Sequence, residues 1–116
     1  VGAEDWARAT AAAFDELGRE ECDEVVKPEW WNDEGLKALS AMVVRATPND
    51  GQANGMRAAV LSGGSHSAWE AGPRSAAELK DAAAHWDRAA ALCPAPAVKA
   101  NRVSLAAWCR SHAEAV

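Results

Sequence analysis

The sequence predicts an all-α fold, and three observations carry the prediction. Alanine supplies 29 of the 116 residues, and alanine is the strongest helix former. Ile and Tyr are absent and Thr occurs only twice, so the β-branched and aromatic side chains that strands draw on are few. Apolar residues recur at three- and four-residue steps in five separate stretches, the spacing of one helix face. A chain of 116 residues, 49% hydrophobic and 25% charged, suits one domain with one modest core.

The first helix is expected from about Ala3 to Glu24, with Trp6, Thr10, Ala13, Phe14 and Leu17 facing inward. Gly18 is a weak point in it, and Pro28 stops the pattern near Lys27. Trp30-Trp31-Asn32-Asp33 then opens a second helix. Asn32 or Asp33 is suited to cap it, and Glu34 favours the first turn through the helix dipole. Leu36, Leu39, Val43 and Ala46 form its buried stripe with Met42 beside it, and Thr47-Pro48-Asn49-Asp50-Gly51 ends it.

A third helix spans about Gln52 to Leu61, with Ala53, Met56 and Val60 inward. Residues 62–74 are irregular, with three glycines, Pro73 and Trp69 in the middle; a large aromatic in a long loop usually pins that loop to the domain. Ser75-Ala76-Ala77-Glu78 is a capping box and the clearest helix start. The fourth helix runs to about Leu92 on a stripe of Leu79, Ala82, Ala83, Trp86, Ala89, Ala90 and Cys93. Pro94 and Pro96 follow, and Pro96 suits the first turn of a fifth helix bearing Val98, Arg102, Leu105, Trp108, Cys109 and His112 on one side.

Net charge is −5, unevenly placed: residues 1–35 carry −8 and residues 36–116 carry +3. With no basic stripe, nucleic acid is a poor partner. The cluster Glu20, Glu21, Asp23, Glu24 reads as a solvated helix end. Cys22, Cys93 and Cys109 are odd in number and far apart, which argues against a disulfide framework and for a reducing, intracellular compartment. Cys93 and Cys109 read as small buried hydrophobes. No apolar run reaches the ~20 residues of a membrane span.

Catalysis finds no foothold. Cys109 and His112 share a helix face but fall short of the four ligands zinc wants, with only His85 and Cys93 to add. Cys22 lies among carboxylates, which raise a thiol pKa. The pairs Asp15–Glu16 and Asp33–Glu34 splay apart on a helix, Gly63-Gly64 lacks the lysine of a phosphate loop, and His66 reads as an exposed loop residue. The expectation is therefore no enzyme, no cofactor and no metal.

Six tryptophans are the unusual feature. Trp6, Trp86 and Trp108 fall on stripes expected to be buried. Trp30 and Trp31, as helix neighbours pointing ~100° apart, are not expected to share one core. Tryptophan is enriched at interface hot spots, so Trp30, Trp31 and Trp69 are candidate protein-interaction residues.

Ala82, Trp86, Ala89 and Pro94 sit at offsets of 4, 3 and 5, and Leu36, Ser40, Val43 and Pro48 repeat those offsets 46 residues earlier. A recurring helix, proline turn, helix unit marks a solenoid. The fourth helix resembles the second helix of a tetratricopeptide repeat, in which small residues admit the next helix, an aromatic fills the gap and a proline ends the helix; Ala82, Trp86, Ala89 and Pro94 match these repeat-packing roles. The stretches Met56–Gly63, Trp69–Leu79 and Arg88–Ala97 also resemble an alanine-rich, tetratricopeptide-like domain common in haptophyte algal proteins. This resemblance implies a helical repeat with a protein-interaction role and no catalytic residues. The sequence thus reads as a leading helix in residues 1–27 and a repeat-like region in 28–116, together a solenoid fragment of about five helices in antiparallel pairs. Its partner is expected to be a peptide, a helix or a neighbouring subunit. The other reading is a structural linker fixed in a large assembly, for which the resemblance points to an algal plastid photosystem with its antenna proteins; cytoplasm and plastid both stay open.

Overall fold

The computed structural model describes residues 2–18, 26–63 and 69–116, and among these it contains five helices and no strand. They are α1 (Ala3–Leu17), α2 (Asp33–Ala46), α3 (Gly51–Leu61), α4 (Ala76–Ala91) and α5 (Pro96–Ala115). The acidic cluster at residues 20–24, Cys22 and His66 lie outside the described residues.

Each boundary has a local cause. Gly18 closes α1, donating its N–H back to Phe14 O at 3.0 Å. Asn32 caps α2 by accepting from Gly35 N at 2.8 Å, and its amide donates to Glu29 O at 2.8 Å. That tight entry needs glycine at position 35, because a Cβ there would stand 2.5 Å from the Trp30 carbonyl oxygen. Asp50 caps α3 by accepting from Ala53 N at 2.9 Å. Gly63, at φ +90°, turns the chain out of α3 in the left-handed region that glycine enters without strain. The capping box of α4 is complete: Ser75 Oγ accepts from Glu78 N at 3.1 Å and Glu78 Oε1 accepts from Ser75 N at 3.0 Å. Pro96 starts α5 at a position where its missing N–H is not needed.

Consecutive helices pack on one another, and α1 also touches α3. Cross-helix hydrogen bonds give the directions. Arg57 in the middle of α3 donates to Lys37 O and Ser40 Oγ near the start of α2, while the Thr47–Asp50 turn joins the opposite ends. On the other side of α3, Asn54 meets His85 and the Pro48 carbonyl accepts from Arg88 Nε at 3.0 Å. The pairs α2–α3 and α3–α4 are therefore antiparallel.

Two apolar clusters result. The first joins Ala7, Ala11 and Phe14 of α1 to Leu36 and Val43 of α2 and Ala53, Met56 and Val60 of α3. The second joins Leu61 at the end of α3 to Ala82 and Ala83 of α4 and Ala106 and Cys109 of α5. As α3 feeds both, it is buried on two sides, and even Asn54 is fully buried. Asn54 Nδ2 donates to Pro48 O at 3.0 Å and Asp50 O at 2.9 Å. Its Oδ1 is thus an acceptor, and His85 Nδ1 must carry the proton it shares with it at 3.0 Å. Burial, with the nearby Arg57 charge, lowers the pKa of His85. The leading helix is part of this core, and the radius of gyration of 13.4 Å matches the ~13 Å of a single domain of this length.

The helix positions agree with the sequence better than the helix rotations do. In α1 the buried residues are Ala7, Ala11 and Phe14, while Trp6 is 43% exposed and Ala13 is also outside. In α5 they are Ala106, Cys109 and Ala113, while Val98 and Trp108 are exposed, Trp108 by 47%. Leu39, Ala46 and Trp86 are half-buried, Met42 is exposed, and Cys93 lies beyond the end of α4, only half-buried. The cause is the alanine content. Helices that meet through Ala approach at the short end of the ordinary 8–10 Å axial range, and an indole does not fit such a contact. Each helix turns its small stripe inward and leaves the larger residues on the flank.

One long-range tie is ionic. Arg74, just ahead of the α4 cap, donates from Nη1 to Asp33 Oδ2 at 3.0 Å and from Nη2 to Asp33 Oδ1 at 2.5 Å. Trp69 Nε1 and Gly72 N also donate to Asp33, at 3.0 and 3.2 Å. Arg74 is only 6% exposed and Asp33 19%. Its hydrogen bonds to Arg74, Trp69 and Gly72 outweigh burial and hold the Asp33 carboxyl well below the usual carboxylate range. Lys37 lies 3.7 Å from Asp33 and 2.8 Å from Glu78, whose pKa is also lowered.

Arg74→Met should remove on the order of 3 kcal/mol of stability, because it leaves a buried carboxylate unpaired; the urea midpoint followed by circular dichroism measures it, and a loss under about 0.5 kcal/mol would contradict the assignment. Asp33 and Glu78 have depressed folded-state pKa values, so their contribution is present above the unfolded value of about 4 and drains away as pH falls below it. The urea midpoint should drop on acidification through that range, and Asp33→Asn should flatten the drop while lowering the midpoint at neutral pH.

Candidate functional site

The three tryptophans singled out for interaction come together in space. Phe14 lies 5.4 Å from Trp31 and 6.0 Å from Trp69 between ring centroids, Trp31 is 6.2 Å from Trp69, and Trp30 is 5.9 Å from Trp31. Trp30 and Trp31 both pack on the first apolar cluster, contrary to the expectation that they diverge. Residues 29–31 precede α2 as a turn, so the 100° helical step does not apply to them. Trp69 pins its loop twice, by its ring against Phe14 and by its N–H on Asp33. All three indoles are half-buried, and their edge-on and tilted geometry is that of aromatic packing.

An open concavity among the described residues lies elsewhere. A groove of about 490 Å³ runs between α3 and α5, lined by Ala59 on α3 and Ser62 just past its end, Trp86 on α4, and Leu105, Trp108 and Cys109 on α5, with Asn101 and Ser104 at the α5 rim. Its origin is a spacing mismatch. At the start of α3, a Cβ added at Gly51 or Gly55 would stand 3.9 Å from the Arg102 guanidinium of α5, and Arg102 Nη1 donates to Ala89 O at 3.3 Å. Further along, Trp86 rises from α4 between the two helices and α5 stands away from α3. Since Arg102 meets residues 51–55 and Trp108 faces residues 59–62, α3 and α5 run in the same direction.

The groove is mainly apolar with a few polar groups. Trp86 Nε1 is buried without an oxygen or nitrogen acceptor and faces the Cys109 sulfur. Burial pushes the Cys109 thiol up, and the Trp86 N–H and the Arg110 charge act in the opposite direction. Trp108 stacks on His112 at 3.8 Å between centroids, and His112 Nδ1 donates to Trp108 O at 2.9 Å. This stack fixes the outer wall of the groove.

The repeat-packing residues fall where close contact is needed. Ala82 and Ala89 are fully buried, Trp86 lines the groove, and Pro94 sits in the α4–α5 connection. In the earlier copy Leu36, Ser40 and Val43 are all fully buried, and Ser40 Oγ accepts from Arg57 Nη1 at 3.0 Å. Ser40 is thus closed over by Arg57 of α3, whereas Trp86 lines the groove. The groove itself was not legible as a site, because Leu105 and Trp108 read as core; the clue was the adjacency of Trp108 and Cys109, which one helix stripe cannot bury together.

Cys109 is buried and His112 exposed, so the pair does not converge. Among the described residues no group of three His, Cys, Asp or Glu side chains is placed to hold a metal ion, and no helix is long and apolar enough to cross a membrane. Comparison with known proteins finds no matching family model, curated relative or solved structure.

Native-state alkylation should separate the two described cysteines, both free thiols. Iodoacetamide at neutral pH should modify half-exposed Cys93 at least tenfold faster than buried Cys109, read site by site by mass spectrometry; equal rates would contradict the closed floor of the groove.

Proposed function

We propose that this chain is a non-catalytic protein-interaction module of the tetratricopeptide-like kind, in which the α3–α5 groove takes apolar side chains of a partner peptide or helix. The observation that carries the reading is a concave apolar groove walled by two tryptophans, on a scaffold whose helices pack mainly on their chain neighbours. Indoles in such a wall supply large contact area at low entropic cost. The parallel course of α3 and α5, with α4 behind them, suits a repeat whose odd-numbered helices line a concave face. Acidic net charge favours a protein over a nucleic acid as the partner.

A second reading, a linker subunit held between larger neighbours, draws on a different observation. Trp6, Met42, Val98 and Val103 are large apolar side chains left between 43% and 50% exposed, as residues awaiting a neighbour would be.

Selection from a displayed library of helical peptides tests the first reading. Trp108→Ala should weaken the selected peptides at least tenfold, the loss of a hot-spot residue of about 2 kcal/mol, with the helical circular dichroism unchanged. Selected peptides indifferent to Trp108→Ala would contradict the groove as the site, and a library yielding no binder would favour the linker.

A further inference from the structure

A histidine sits in the seam between α3 and α4. His85 is half-buried and gives its Nδ1 proton to Asn54 Oδ1 at 3.0 Å. Asn54 is held in that orientation, because its Nδ2 is committed to the carbonyls of Pro48 and Asp50 in the turn between α2 and α3. The charges gathered at this seam are mostly positive. From α3 comes Arg57, fixed on Lys37 O and Ser40 Oγ. On α4 itself Arg88 lies three residues on, with its Nε on Pro48 O, and Asp81 lies four residues back. From α5, Arg102 reaches the first turn of α3 and donates to Ala89 O. In the turn, the Asp50 carboxylate is engaged as the cap of α3. Burial first, then Arg57, holds the ring below its ordinary pKa, while Asp81 works in the other direction.

We propose that the His85–Asn54 contact is an acid-sensitive latch: the neutral ring clasps α4 to α3, and a proton taken up at Nε2 sets a further cation beside Arg57 and Arg88 and loosens the seam. Nδ1–H donates to Asn54 in both forms of the ring, so the latch yields to charge in a half-buried place and not to loss of a donor. Trp86, the next residue, walls the groove, so the seam that responds to acid is the one that sets that wall in place. The sign follows from the two states of the chain. An unfolded histidine titrates near 6.5, and the folded ring takes its proton at lower pH. The contribution of the latch is therefore full above about 6.5 and drains away as pH falls from there toward the folded value. This window lies above the range near 4 in which Asp33 and Glu78 act.

Urea unfolding of the full chain, followed by circular dichroism at pH about 7.5 and about 5.5, tests this on either side of the histidine range. The midpoint of the unmodified chain should fall on acidification. His85→Gln keeps an amide donor for Asn54 but does not titrate, and it should lose most of that fall. Asp81→Asn, at an exposed position, removes the carboxylate that favours the charged ring and should deepen the fall, so the test does not depend on a folded glutamine variant. A midpoint that stays level in the unmodified chain would overturn the proposal. So would an equal fall in His85→Gln, or a fall that Asp81→Asn leaves unchanged or makes smaller.

Discussion

Four hydrogen bonds from three residues converge on the Asp33 carboxylate, and the placement of α4 follows from them. Asp33 is the first residue of α2, where a negative charge is favoured by the helix dipole. Its partners come from the segment just ahead of α4, so a single anion ties the start of one helix to the start of another across more than 35 residues of chain. Arg74 also donates from Nη2 to Val60 O at 2.9 Å, joining the end of α3 to the same point. Lys37 and Glu78 extend the tie one turn into each helix. Because the carboxylate and guanidinium are both largely withdrawn from water, neither tolerates loss of the other. The aromatic cluster beside them, Phe14 with Trp30, Trp31 and Trp69, shields the tie and brings α1 onto the same node.

With α2, α3 and α4 fixed, the two apolar clusters divide the work. The first is close-packed around alanines and medium-sized side chains, and α1 meets α3 directly. The second contains Trp86, and there α3 and α5 part. One side chain thus decides whether neighbouring odd-numbered helices touch or leave a groove. In α2 the corresponding position is Ser40, which is fully buried and accepts from Arg57 Nη1.

How much of this was legible in the sequence follows the range of each interaction. Helix starts at Asn32 and Ser75 rest on bonds to residues three positions on, and the sequence shows them; Asp50, read as part of a turn, caps α3 in the same way. The end of α1 at Gly18 is equally local, but the sequence pattern suggested a helix running on to about Glu24, with Gly18 only a weak point in it. The rotation of α1 and α5 about their axes was not legible, because size suggested burying Trp6 and Trp108 whereas close approach through Ala7, Ala11 and Ala106 decided the matter. Asp33 read as a candidate cap, and its partners 36 to 41 residues away carry no sequence pattern. The groove was missed for the same reason that Trp108 was misplaced: it is built from residues that a helix stripe assigns to the interior.

The central claim, that partners enter between α3 and α5, is tested most directly by nuclear magnetic resonance of the indole N–H groups. Six tryptophans give six such signals, distributed over the aromatic cluster, the outer face of α1 and the groove. On titration with a peptide selected against the chain, the signals of Trp86 and Trp108 should shift while that of Trp69, bonded to Asp33, stays in place. Shifts confined to Trp30, Trp31 and Trp69, or to Trp6, would contradict the claim and move the interaction to those surfaces.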